Sequence, residues 1–184
     1  MNEITKKLHN LPDNIKNFYI NLYSRRSVRE FSTKPINNET LDRLMMTLQR
    51  AQSATNAQPW YFYIIKDKLR PSLNTVFRKE GFKKAPVIIA ACAKPEDSWV
   101  RKDDDTNFSW VDLSIAITEM ISAATSEGIG SCWIASFEMD KAKEIIGIPD
   151  NLQLVTLVAL GYPQQPLKLE EKKRKPVSEI ITIL

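Results

Sequence analysis

Pro86 opens an unbroken apolar run, Val87–Ala93, reading V-I-I-A-A-C-A. A strand without alternation has no face to offer water, so both of its faces must be covered. Leu152–Leu160 is a second strand-like run, and the aromatic, β-branched Trp60–Ile65 is a third. The covering layers are legible as helical spacing. Asp13 can cap a helix to about Tyr23, with Ile15, Phe18, Tyr19 and Leu22 on one face. Asn37 has the position of an N-cap for a helix to Gln52 that carries Leu41, Leu44, Met45 and Leu48. There the Met45–Met46 pair reads as core filling. Lys68–Arg78 is expected as a short helix with Leu69, Leu73, Val76 and Phe77 inward.

The longest helix spans Ser109–Glu127, with Leu113, Ala116, Ile117, Met120, Ile121 and Ala124 as its apolar face and Gly128 as its stop. Gly130–Ala135 is a short strand or extended turn, Met139–Ile146 a small helix, and Val177–Leu184 a last β-like run. Lys94–Asn107 is polar and expected as loop, its Asp103, Asp104 and Asp105 as a solvated run. Helical and strand patterns alternate without repeat or linker. That describes one α/β-type domain over residues 1–184, whose sheet need not be parallel.

Composition limits the function classes. The chain has 184 residues, 43% hydrophobic and 26% charged, a globular balance. Its 26 basic and 22 acidic side chains give a net charge of +4, enough for a local anion site and too little for a surface that coats nucleic acid. The single His9 lies in a polar start, which argues against His-based metal sites and Ser-His-Asp triads. Cys92 and Cys132 sit in apolar runs and suit buried free thiols in a reducing compartment. With no signal-like apolar segment at the start and no membrane-length run, the expectation is a cytoplasmic protein. Gly128-Ile-Gly130 is not a dinucleotide fingerprint: it follows a helix, and the third glycine position is Trp133.

Arg25–Phe31 (R-R-S-V-R-E-F) packs guanidinium forks and a hydroxyl that suit phosphate oxygens, and a second basic cluster lies at Lys172–Lys175. Taken alone, Arg25, Arg26 and Arg29 are also what a solvated, salt-bridged face looks like. Two polar loops lie between the basic clusters: Ser53–Gln58 (S-A-T-N-A-Q) and Gly128–Phe137 (G-I-G-S-C-W-I-A-S-F). In this order and at these separations, from about Tyr23 to Ile181, the set resembles the FMN-dependent nitroreductase family.

The resemblance implies an α+β, three-layer fold: a central mixed or antiparallel sheet flanked by helices, in a domain-swapped homodimer. Residues 1–12 would be an N-terminal tail, and residues 162–184 an extension wrapping the partner. FMN would lie between subunits. By position, Arg25, Arg26 and Ser27 would grip its phosphate with Lys172 and Arg174, while Arg29 would reach the ring near N1. Ser53, Ala54 and Asn56 would line the ring from the partner subunit. Trp133, Ile134, Ala135 and Ser136 would pass along its other side, the Ser136 N–H facing N5 and O4. No catalytic side chain and no metal is implied, because the flavin carries the chemistry.

Trp60 and Trp133 adjoin these segments, with strand-edge core packing an equal reading. Trp99 and Phe108 are candidates for touching substrate, Trp110 for the dimer interface, and Asp112 for either a partner contact or a first-turn cap. Many family members have Gly-Gly or Glu-Gly at Ala135–Ser136. Larger ones carry FMN-contacting Asn and Lys near Arg78–Gly81, for which the sequence suggests no equivalent. The implied activity is ping-pong transfer from NADH or NADPH, through FMN, to a small acceptor such as a nitroaromatic or quinone, with no nucleic-acid or membrane partner. The alternatives are a flavin-binding sensor or storage module, a dehydrogenase or dehalogenase of the same fold, and a basic nucleic-acid adaptor.

Overall fold

The computed structural model describes residues 6, 8–166, 169 and 172–184. It divides into two compact units, Met1–Arg25 with Lys168–Leu184, and Arg26–Leu167.

The first unit holds helix α1, Asp13–Ser24. Pro12, not Asp13, occupies its N-cap position, and Asp13 opens the first turn, where its charge still suits the helix dipole. The expected apolar face is present and exposed: Ile15, Phe18, Tyr19 and Leu22 are 42%, 59%, 42% and 43% accessible. Val177–Leu184 forms no strand. Val177–Glu179 is a short 3-10 turn closed by local bonds to the Pro176 and Val177 carbonyls, and Ile180, Ile181, Ile183 and Leu184 lie exposed. Its β-type composition only pays off beside a neighbouring strand, and the described residues provide none for it.

The second unit is a sheet between two layers. In chain order it contains α2 (Asn38–Arg50), β1 (Trp60–Ile65), β2 (Val87–Ala93), a β3–β4 hairpin (Val100–Arg101 and Thr106–Asn107), α4 (Ser109–Ser126), β5 (Gly130–Ile134), α5 (Met139–Ile146) and β6 (Gln153–Gly161), with a four-residue helix α3 (Glu80–Lys83) before β2. The four long strands run in the order β1-β2-β6-β5, and every neighbouring pair is antiparallel. β2 sits inside this sheet, and its side chains alternate between two cores. Val87, Ile89, Ala91 and Ala93 join Leu44, Leu48, Leu113, Ile117 and Met120 from α2 and α4. Ile88, Ala90 and Cys92 join Leu73, Val76, Phe77, Phe82, Ile134 and Ala142 on the other side. The unalternating run is thus a central strand covered twice, here in an antiparallel sheet.

Local signals explain most element ends. Asn37 Oδ1 accepts from the Thr40 N–H at 2.7 Å, capping α2. Gly147, at φ 75°, closes α5 in the left-handed position. The expected helix at 68–78 is a 3-10 run, Asp67–Val76, because Pro71 lacks the N–H that α-helical bonding needs. Within it Leu73 and Val76 are buried, while Leu69 is 43% exposed rather than inward. Met45 packs on the α2–α4 core, whereas Met46 is exposed. The polar stretch 94–107 is not all loop: it holds a Pro95–Asp97 turn and the β3–β4 hairpin, where Asp104 pairs with Arg101 at 2.8 Å and is held down to about 2 by it. None of the helices among the described residues is long and apolar enough to cross a membrane.

Candidate functional site

The sheet and its edges decide where the polar loops go. In the second unit the stretch after Arg26 is laid along β5. Ser27 bridges Ser131 in parallel, and the Val28 N–H donates to the Ser131 carbonyl at 2.8 Å. Beyond it, the Ser32 N–H donates to the Tyr162 carbonyl and the Gln164 N–H to the Glu30 carbonyl, at 2.8 and 3.0 Å. Val28 and Phe31 point into the core, so Ser27, Arg29 and Glu30 are left at the surface.

Arg29 thereby reaches one recess of about 240 Å³, whose lining includes Arg78, Lys79, Phe82 and the Cys132–Ser136 run. A close backbone approach sets that meeting. A Cβ on Gly81 would fall 1.8 Å from the Arg29 carbonyl oxygen, so only glycine lets the two segments touch. β5 stops pairing with β6 at Ile134, opposite Leu157, so Ala135 and Ser136 lie beyond the ladder and are exposed. The Phe137–Phe77 bridge and the Glu138 N–H bond to the Val76 carbonyl then tie the chain down again. The buried Thr156 hydroxyl bonds the Ile134 carbonyl at 2.9 Å and fixes the strand end. Trp133 is 36% exposed and lines the recess, while Trp60 packs against the α2–α4 core.

The recess is cationic. None of its lining residues is acidic, and Arg78 meets Glu138 only at 3.9 Å. Burial pushes the Cys132 thiol up, against the opposing pull of the Arg29 and Lys79 charges. Burial pushes Cys92 further, to about 12. Neither thiol offers a thiolate nucleophile near neutral pH. Arg70, 5% exposed, holds the neighbouring segment: it donates to the Ala85 and Phe82 carbonyls at 2.7 and 2.5 Å and to Asn74 Oδ1 at 2.9 Å. No acid compensates it in these bonds, and burial lowers it to about 10.

In the first unit, Arg25, Lys172 and Arg174 line a second recess of about 550 Å³ with Tyr19, Leu22 and Tyr23. Lys172 Nζ donates to the Leu22 carbonyl at the end of α1, at 3.0 Å. Of the first basic cluster only Arg25 shares this concavity with Lys172 and Arg174. Arg26 and Ser27 begin the second unit. Leu167, Lys168, Glu170 and Glu171, within the expected extension, lie outside the described residues.

Ser53, Ala54 and Asn56 line neither recess. They form a compact loop with Thr55, Asn56 and Gln58 at φ 52°, 58° and 51°. The Gln58 N–H donates to Ser53 Oγ at 2.9 Å, and the Ala54 N–H donates to Asp112 Oδ1 at 3.1 Å. Trp99 and Phe108 stack edge-to-face at 5.0 Å beside the β3–β4 hairpin.

Arg78, Lys79, Phe82 and Cys132 line the recess without standing out in the sequence as site residues. The Arg78-Lys79 pair ahead of Gly81 is the only local signal for them, since proximity to Arg29 arises from the fold.

The geometry defines a three-layer α+β protein with a cationic recess at a strand end. The nitroreductase family model matches residues 22–81 and 73–162, and the chain belongs to the nitroreductase family. It is similar to an Archaeoglobus fulgidus protein provisionally named NADH dehydrogenase/NAD(P)H nitroreductase, 32% identical over 150 residues, 78% of this chain and 83% of that one. The crystal structure of a nitroreductase family protein from Clostridium difficile 630 superposes with a TM-score of 0.81 at 28% identity, covering 89% of this chain and 95% of that one. Iodotyrosine deiodinase of Hydra vulgaris is 24% identical over 195 residues, 89% of this chain and 71% of that protein.

Proposed function

We propose that the chain is an FMN-dependent oxidoreductase that takes a hydride from NADH or NADPH and reduces a small acceptor such as a nitroaromatic or quinone. The observation that carries this reading is the meeting of Arg29, Lys79 and the unladdered Ala135–Ser136 backbone at one recess without acidic lining. Those donors suit a group that develops negative charge along one edge and accepts an N–H at another. Bound FMN supplies the hydride acceptor and donor; the protein's task is to bind, orient and tune it.

Arg25, Lys172 and Arg174 are assigned to the phosphate, with Arg26 and Ser27 added by the family resemblance. Charge-assisted bonds from these forks suit its nearly two negative charges. Arg29, joined by Lys79, is assigned to the N1 edge, where a fixed cation favours added electrons. The Ser136 N–H is assigned to N5 and O4. Cys132 stays protonated beside them and adds no titratable group. Ser53, Ala54 and Asn56 are assigned to the ring from a second subunit, consistent with their absence from the Arg29 recess.

A homodimer is part of the proposal. The outer face of α4 presents Trp110, Val111, Ser114 and Ile115 along an open groove of about 570 Å³, with Trp110 55% and Val111 46% exposed. Such a stripe suits a second copy of the same helix. One open ring face serving donor and acceptor in turn predicts ping-pong kinetics. The similarity to a deiodinase favours reductive dehalogenation as the second reading, scored by halide release from a halogenated aromatic.

The test of the phosphate assignment is Arg25→Ala with Arg174→Ala. Two lost charged hydrogen bonds, at about 1.5–3 kcal/mol each, should weaken FMN binding about a hundredfold or more while leaving the dimer intact by sedimentation. Unchanged FMN affinity in the double variant would refute it.

A further inference from the structure

Asp112 lies in the first turn of α4 and is 2% exposed. Its Oδ1 accepts the Ala54 N–H at 3.1 Å, across a gap of 58 residues. Its Oδ2 is buried and has no hydrogen-bond partner among the described residues. A buried carboxylate with one oxygen stranded is a poor stabilising device, because desolvation exceeds what a single bond returns. What it does hold is unusual. The loop it grips places Thr55, Asn56 and Gln58 at positive φ, a region where a β-branched residue such as Thr55 is strained. Ser53 Oγ closes the loop from inside by accepting the Gln58 N–H. Asp112 is the only side chain from another element that anchors it among the hydrogen bonds of the described residues.

We infer that Asp112 is a positioning residue for flavin binding: its carboxylate locks the Ser53–Gln58 loop in the strained form that presents Ser53, Ala54 and Asn56 to the ring. The inference rests on the FMN reading and extends it to a side chain that does not touch the cofactor. Preorganisation of this kind acts on affinity, because any fraction of time the loop spends relaxed weakens apparent binding in proportion.

The test compares Asp112→Ala with Asp112→Asn in the full chain, by FMN titration and by hydrogen exchange of the backbone amides. Asn keeps an oxygen for the Ala54 N–H and differs from Asp only at the second, unpartnered position. Asp112→Ala should weaken FMN binding about tenfold and speed exchange in Ser53–Gln58 while α4 stays protected. Asp112→Asn should restore loop protection and FMN affinity to within about threefold of wild type. Wild-type affinity in Asp112→Ala, or equal losses in both variants, would overturn the inference. Faster exchange throughout α4 in Asp112→Ala would also overturn it, leaving a purely structural acid. A wild-type protein that binds no FMN would instead remove the FMN reading, and the exchange data would still decide whether Asp112 holds the loop.

Discussion

Gly81→Ala is the smallest change that probes how the Arg29 recess is built. A Cβ at this position would stand 1.8 Å from the Arg29 carbonyl oxygen and 2.9 Å from its carbon. Contacts under 3.0 Å are essentially never made by real Cβ atoms, so the two backbones must part by about 1.2 Å. Neither atom belongs to a side chain that can swing aside. Overpacking of this kind costs about 1–3 kcal/mol, and two backbones in contact place the cost at the upper end. Alanine returns about 1 kcal/mol of helix propensity in α3, leaving a net loss of about 2 kcal/mol. For a chain of this size that lowers the melting temperature by about 4–8 °C. Moving Arg29 by an ångström should also weaken FMN binding about tenfold or more, since site geometry is sensitive at that scale. The assays are thermal unfolding by circular dichroism and FMN titration by flavin fluorescence. A variant that melts within about 1 °C of wild type would show that the close approach does not exist. A lower melting temperature with unchanged FMN affinity would separate Gly81 from the placement of Arg29.

Other outcomes follow from single contacts. Asn37→Ala removes the α2 cap and should cost about 1 kcal/mol, with Asn37→Asp near neutral in chemical denaturation. Cys92 keeps, in the folded state, a proton that the unfolded chain gives up near pH 9. Its contribution is therefore whole below that pH and declines as pH rises toward about 12. From pH 8 to 10 this amounts to about 1 kcal/mol of lost stability, and Cys92→Ala should flatten the slope. Above about 10 the lowered Arg70 guanidinium works in the opposite sense, so the window below it is the one to measure.

The physics of strands and caps made much of the fold legible. The unalternating Val87–Ala93 run required cover on both faces, and α2 and α4 on one side with α5 and the 67–85 segment on the other supply it. Asn37 and Gly147 act as caps because capping is a local property. Strand direction was less legible, since a twice-buried strand has the same composition in parallel and antiparallel sheets. The Val177–Leu184 run misled because β-type side chains form a strand only where a partner strand exists. Arg29 and Trp133–Ser136, which the family resemblance singled out, line the candidate recess, Trp133 and Ile134 at the end of β5 and Ala135 and Ser136 just beyond it. Lys79 was not singled out, since its membership depends on Gly81 meeting the Arg29 backbone across the fold. Asp112 drew notice on a helix turn, but its bond to Ala54 is visible only in three dimensions.

The visible spectrum of the purified protein before and after anaerobic addition of NADH or NADPH decides on the proposed FMN-dependent oxidoreductase activity. Flavin absorption bands, from bound or added FMN, should bleach under at least one nicotinamide and return when a nitroaromatic or quinone is admitted. A protein that takes up no FMN, or whose flavin bands persist under both nicotinamides, would contradict that activity.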